Sequence, residues 1–332
     1  MAGNTKLQGE IVKKYLTKFP NTPSQTLAKK IYSENSSMWT KWETVYSSVR
    51  YYRGQSGDVH RKMVQDKIHF KPEGSRNPFN LPVSHAETYE PVVISQSKTL
   101  IISDLHFPYQ DNDAITLALN YGLEKKVDCI LINGDLIDFA TISRHEKDFR
   151  SRSVKEEFDA VREFLSTVRN AFPKTKIVFK YGNHDERWEK WLFLKAPEIF
   201  DFEEFQLEII LKFAELKIEV VKDKLPIKIG KLNILHGHEL NGGGGVNPAR
   251  GAFLRTLDNV IIGHFHRSSE VTEATFGGNI INVRSTGCLC GMYPMYARVN
   301  KWNLGFAYVE LDIKTGEYEL ENLKIINGKI YK

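Results

Sequence analysis

Five short polar motifs stand in the chain in a fixed order, each beginning where an apolar run ends. They are Asp104-Leu105-His106, Gly134-Asp135-Leu136-Ile137-Asp138, Gly182-Asn183-His184-Asp185, His236-Gly237-His238 and Gly263-His264-Phe265-His266. Carboxylate, amide and imidazole groups gathered from separate loops make a mixed oxygen and nitrogen donor set, which suits borderline divalent metals. Such a set points to an enzyme.

The elements that must position these groups can be read from the apolar runs. Segments 99–102, 129–132, 177–179, 232–235 and 260–262 have the composition of buried strands. Every motif then falls at a strand's carboxyl end, the edge where open α/β sheets bind ligands. Residues 113–125 and 153–172 predict helices, the second opened by a capping box of Ser153 and Glu156 and stopped by Pro173. Segments 188–194 and 203–214 predict further amphipathic helices, and from Gly277 onward the chain is strand-rich over 280–283, 306–311 and 318–323. This layout predicts an α/β fold of two packed mixed sheets flanked by helices.

A chain of 332 residues, 41% hydrophobic and 26% charged, has ample apolar content for a sizeable core. No apolar stretch nears the ~20 residues that cross a bilayer, and the N-terminus lacks a secretory layout, so no membrane partner and a cytoplasmic location are expected. Cys129, Cys288 and Cys290 predict buried reduced thiols, since Cys-Leu-Cys is too tight for a zinc knuckle.

Charge is concentrated at the start. Residues 1–70 carry twelve Lys or Arg against five acids, +7 within a chain whose net charge is +5. Helical spacing links Ile11, Val12, Tyr15, Leu16 and Phe19, then Leu27, Ile31 and Tyr32, then Trp39, Trp42, Tyr46 and Val49. Thr40 and Glu43 match a capping box for the third helix, and Lys41, Arg50 and Arg53 fall off its apolar stripe. Three short helices with a basic outer face predict a helix-turn-helix module over 1–70, with nucleic-acid contact as its function and a solvated helical cap as the alternative. Prolines punctuate 71–97, which reads as a linker to a main domain over 98–332.

Taken together, the five motifs resemble the signature of calcineurin-like metallophosphoesterases over residues 98–285. The N-terminal helices, with Arg50-Tyr51-Tyr52-Arg53-Gly54 and the Gly-rich segment before Asn247-Pro248-Ala249-Arg250, resemble phage-encoded members; for these the location would be the host cytoplasm. What the resemblance implies is a two-metal centre: Asp104, His106 and His266 on one ion, Asn183, His236 and His264 on the other, and Asp135 between them. Two cations ~3.5–4 Å apart can activate water and clamp phosphoryl oxygens. Manganese is preferred, with iron or zinc as alternatives.

By the same resemblance His184 is the group that protonates the leaving oxygen, oriented by Asp138, with Asp185 as the competing partner. Arg187, Arg250 and Arg267 are candidates for phosphate recognition, because each is close in sequence to a motif and a guanidinium fork matches phosphate oxygens. His238 is a substrate or supporting contact, and His145 is a candidate on a loop above the site. Pro248 could open a helix whose amide end faces an anion. The expected activity is phosphodiester hydrolysis on nucleic acid or nucleotides. Phosphomonoester hydrolysis on protein or small molecules, and a non-catalytic nucleic-acid-binding adapter, are the alternatives.

Overall fold

The computed structural model describes residues 2–64, 67–70, 86–143, 153–242 and 245–332. It divides into two compact units, Met1–Glu87 and Thr88–Lys332. His145 lies outside the described residues, as does most of the segment expected to be a linker.

The first unit is helical: α1 (Ala2–Lys18), α2 (Ser24–Glu34), α3 (Trp42–Tyr52) and α4 (Asp58–Met63). Of the stripe expected from spacing, Val12, Leu16, Leu27, Ile31, Trp39 and Val49 are in its core, joined by Ala28 and Val45, while Ile11, Tyr15, Phe19, Tyr32, Trp42 and Tyr46 are partly buried against it. Two expectations are corrected. Lys41, not Thr40, occupies the cap position of α3, and no side chain caps that end. Arg53 is not on an outer face: it is 1% exposed, and its guanidinium donates to Ser24 Oγ at 2.9 Å and the Pro20 carbonyl at 3.0 Å. Arg50 likewise donates to the Gln55 carbonyl and lies over the Tyr46 ring. Arg53 thus supplies a donor to the turn between α1 and α2, and Arg50 one to the turn after α3, where carbonyls lack helical partners.

In the second unit the strands are β1 (Val92–Val93), β2 (Lys98–Ile102), β3 (Cys129–Asn133), β4 (Lys176–Lys180), β5 (Ile218–Val221), β6 (Ile227–Ile229), β7 (Leu232–Leu235), β8 (Val260–Ile262), β9 (Ser269–Ala274), β10 (Ile280–Ser285), β11 (Leu304–Leu311), β12 (Tyr318–Ile326) and β13 (Lys329–Tyr331). Among the described residues they form a seven-stranded sheet, β13-β12-β11-β2-β3-β4-β5, and a six-stranded sheet, β1-β6-β7-β8-β10-β9. β2 to β5 run parallel, whereas β11 joins β2 antiparallel. In the other sheet β7, β8 and β10 are parallel. Parallel strands are covered on both faces, which is why these runs are continuously apolar; every residue of β3 is buried.

One apolar cluster joins Ile101, Leu131, Val178 and Val309 of the larger sheet to Ile227, Leu232, Ile234 and Ile261 of the smaller, so the sheets pack face to face. Helices α5 (Asn112–Lys125) and α6 (Val154–Ala171) contribute to a second cluster with the larger sheet. On the smaller sheet lies α9 (Pro248–Thr256), after α7 (Glu186–Lys195) and α8 (Leu207–Ile210) in the chain. Both halves of the Ser153 and Glu156 capping box are present on α6. A cap contributes ~1 kcal/mol. Phe158, Val161, Leu165 and Val168 on its buried face contribute ~1.5–3 kcal/mol each, so packing dominates.

The helix expected over 203–214 is instead a 3₁₀ turn (Glu203–Phe205) followed by the single turn of α8. Side chains from other helices claim its carbonyls: Trp188 Nε1 donates to Phe205 at 2.7 Å and Arg162 Nε to Ile210 at 2.8 Å. A continuous helix would have used those acceptors itself.

Candidate metal centre

The loops after β2, β3, β4, β7 and β8 deliver the five motifs to one place, three loops from the larger sheet and two from the smaller. Their backbone is unusual. Asp104, His106, Asp135, His264 and His266 all have φ between 52° and 67°. The left-handed region is uncommon for residues with a Cβ and recurs where function requires a particular side-chain direction. Glycine makes the close approach possible: a Cβ on Gly182 would stand 2.2 Å from Asp135 Oδ1, and one on Gly134 would stand 2.3 Å from His236 Nδ1.

Three imidazoles are held by one ring nitrogen and present the other to the centre. His236 Nδ1 bonds the Asn133 carbonyl at 2.7 Å, His106 Nδ1 bonds Asp138 Oδ1 at 2.8 Å, and His266 Nδ1 lies 3.9 Å from Cys290 Sγ. Fixing one nitrogen from outside sets the tautomer and aims the other lone pair. Inward, His266 Nε2 is 3.2 Å from Asp104 Oδ1 and 3.1 Å from His106 Nε2, while His236 Nε2 is 3.2 Å from Asp135 Oδ2.

Asn183 Oδ1 and His264 Nδ1 are buried and make no hydrogen bond, while the buried His236 Nε2 faces Asp135 Oδ2 at 3.2 Å. An orphaned buried acceptor is costly unless something else occupies it. The donor atoms of Asp135, His236 and His264 lie within 4.8 Å of one another, as do those of His106, Asp135 and His184, and those of His106, His266 and Cys290. Oxygen and imidazole donors with unused lone pairs fit divalent cations.

Charges within the cluster favour the same occupant. Burial presses Asp104 and Asp135 toward the neutral acid, but His266 holds the first, and His236 the second, well below the usual carboxylate range. Reciprocally, against burial, Asp135 raises His236 to about 10 and Asp104 raises His266 to about 9. Burial and the neighbouring His236 lower His264 to about 4. Protons thus fill part of the space that cations would take.

His184 stands at the edge of this cluster, its ring 4.4 Å from that of His106. Its Nδ1 donates to the Asp138 carbonyl at 2.9 Å and is 3.1 Å from Asp138 Oδ1. On the other side, Arg187 Nη2 donates to Nε2 at 2.9 Å, and Arg187 Nη1 donates to the Asp138 carbonyl at 2.8 Å. Asp138 therefore touches both His106 and His184. Asp185 is committed elsewhere, receiving the backbone N–H groups of Asp135, Leu136, Ile137 and Gly182.

Of the other residues singled out by sequence, His238 turns its Nε2 to Glu186 at 3.1 Å, Arg250 pairs with Glu273 at 3.5 Å, and Arg267 follows His266 half-buried. Arg250 is thus an exposed ion pair. Pro248 does open α9, where Asn247 caps the Arg250 N–H. Several supporting residues escaped the sequence reading. Glu239 accepts the N–H groups of His236 and Gly237 at 3.1 and 2.6 Å, and pairs at 2.9 Å with Lys180, whose side chain is 1% exposed. Glu157, wholly buried, accepts the Phe139 N–H at 2.8 Å. A lysine ending the apolar run of β4 is the one signal that was available, because buried lysines are rare without a partner.

The calcineurin-like phosphoesterase profile matches residues 97–282. The chain is 28% identical over 251 residues to the Gene 54 protein of Mycobacterium phage L5, an alignment covering 70% of this chain and 95% of that protein. Among solved structures, a Vps29 from Entamoeba histolytica is 16% identical, covering 70% of this chain and 96% of its own, with a TM-score of 0.38. Yfce, a phosphoesterase from E. coli, is 14% identical, covering 68% and 98%, with a TM-score of 0.33. With the profile spanning the strands and loops that build the cluster, the chain belongs to the calcineurin-like phosphoesterase family and is a metal-dependent phosphoesterase.

Proposed function

We propose that the protein hydrolyses phosphodiester bonds of nucleic acid or nucleotides at a two-metal centre. Asp104, His106 and His266 would hold one cation and Asn183, His236 and His264 the other, with Asp135 contributing to both. The observation that carries this reading is the convergence of the His236 and His264 donor atoms beside Asp135, with Asn183 Oδ1 buried and without a hydrogen bond on the loop whose Gly182 packs against Asp135. Divalent cations bound there, manganese by preference, supply positive charge to phosphoryl oxygens and acidify water. The nucleic-acid half of the reading is supported by the +7 charge of residues 1–70, on which Lys14, Lys41 and Lys62 remain exposed. This module precedes the phosphoesterase domain, 98–332.

The chain's own groups handle the proton and the substrate. Asp138 fixes His184 through Nδ1, leaving Nε2 to protonate the departing ester oxygen. Without substrate, Nε2 is covered by Arg187. A phosphate oxygen that draws the guanidinium fork away leaves Nε2 to take up a proton and deliver it. Arg267 and His238 lie within reach of the same loops in sequence and would complete the rim.

Metal-reconstituted protein should hydrolyse bis(p-nitrophenyl) phosphate faster than p-nitrophenyl phosphate, and should cleave labelled single- or double-stranded DNA. The reverse preference would make it a monoesterase. His184→Ala should lower kcat by ~10²–10⁴ with metal content intact. Undiminished hydrolysis in that variant would remove His184 from its role.

A further inference from the structure

Beside the candidate metal centre stands a structured loop that none of the roles above uses. It runs from Gly291 to Asn303, between β10 and β11, and both of its ends are tied to the centre. At one end the Gly291 N–H donates to the Tyr109 carbonyl at 2.8 Å, and the Tyr109 N–H donates to the His106 carbonyl at 2.7 Å. At the other, the Asn303 N–H donates to the His266 carbonyl at 2.9 Å, and the half-buried Trp302 packs edge-on against the His266 ring, centroids 4.2 Å apart.

The loop is braced from within by Asn300, whose amide donates to the Met292 carbonyl at 2.6 Å and the Ala297 carbonyl at 2.7 Å while its Oδ1 accepts the Trp302 N–H at 2.9 Å. It carries Tyr293, 64% exposed, with Arg298 and Lys301 also exposed, and Tyr109, whose carbonyl holds the Gly291 end, is 41% exposed. Flat aromatic side chains interleaved with cations, on a braced loop, are the composition of a surface on which unpaired bases stack while cations follow the backbone. A phosphodiester differs from a monoester in carrying a second substituent, which needs a resting place beside the phosphate.

We infer that Trp302, with Tyr109 and Tyr293, forms a stacking platform for an unpaired nucleobase next to the scissile phosphate, on the Asp104, His106 and His266 side. The substrate class is accordingly single-stranded nucleic acid or a dinucleotide. This rests on the diesterase reading above.

The test compares kcat/KM of the full-length, manganese-loaded protein on an oligothymidylate and on a fully abasic oligomer of equal length, which keeps the phosphates and removes the bases. Wild type should favour the base-bearing strand by about ten-fold, the range of one base stacked on an aromatic side chain. Trp302→Ala should collapse that ratio toward one, and Trp302→Phe should keep most of it. Elemental analysis of both variants accompanies the rates, because Trp302 touches His266. Equal rates of wild type on the two oligomers, or a ratio that survives Trp302→Ala, would overturn the platform and leave the diesterase reading standing. Hydrolysis of p-nitrophenyl phosphate with neither oligomer cut would overturn both.

Discussion

His236 and His266 carry the clearest consequence at the level of single residues. Each is raised by a carboxylate, to about 10 and about 9, so both are imidazolium in the metal-free protein at neutral pH. A ligand must give up its proton to bind a cation. Metal uptake should therefore release protons, and affinity should strengthen as pH rises from 6 to 9. Titration calorimetry in buffers of different ionisation enthalpy measures the release; a heat that does not depend on buffer would contradict it. The five left-handed residues explain why donor identity was legible while geometry was not. Asp104, His106, Asp135, His264 and His266 are named by motif, but nothing in a one-dimensional pattern shows that their backbone is twisted to aim them. Nor could it show that Asp138 serves His106 as well as His184, since that sharing joins loops more than 30 residues apart.

Between elements, the Lys180 and Glu239 pair links the end of β4 to the turn after β7. Lys180→Met would leave Glu239 buried without its cation, at a cost of about 3–5 kcal/mol. A lower Tm and weaker metal retention are both expected, because Glu239 holds the N–H groups of His236 and Gly237. Adding Glu239→Gln should recover part of the Tm. Glu157 on α6 provides a pH signature. Burial, then the nearby Asp138 charge, pushes its carboxyl up to about 8, whereas unfolded it titrates near the ordinary glutamate value. A raised folded pKa gives stability that is full below about pH 4.5 and is lost as pH climbs through 8. Glu157→Gln should thus match wild type at pH 4.5 and exceed it by roughly 2–4 kcal/mol at pH 8.5 in denaturant melts. Strands were legible at this scale because a parallel strand covered on both faces is one unbroken apolar run. The segment 203–214 was not, because its carbonyls are taken by Trp188 and Arg162 from other helices.

For the whole molecule, the question is what the helical unit adds. Arg53 and Arg50 hold that unit together, so nucleic-acid contact would fall to exposed lysines such as Lys14, Lys41 and Lys62. Deleting residues 1–70 should weaken DNA binding and make its salt slope shallower, leaving the part that Arg298 and Lys301 supply, while hydrolysis of bis(p-nitrophenyl) phosphate persists. Retention of binding with the same salt slope would assign the contact to the second unit. Among the described residues no helix is long and apolar enough to cross a membrane.

Donors on three loops of one sheet and two of the other converge on Asp135 and its neighbours, so a cation seated there would act as a rivet through the rim of the sandwich. Starvation for that ion would then loosen the seam between the layers as well as silence the chemistry, coupling the lifetime of the fold to the metal supply of its surroundings.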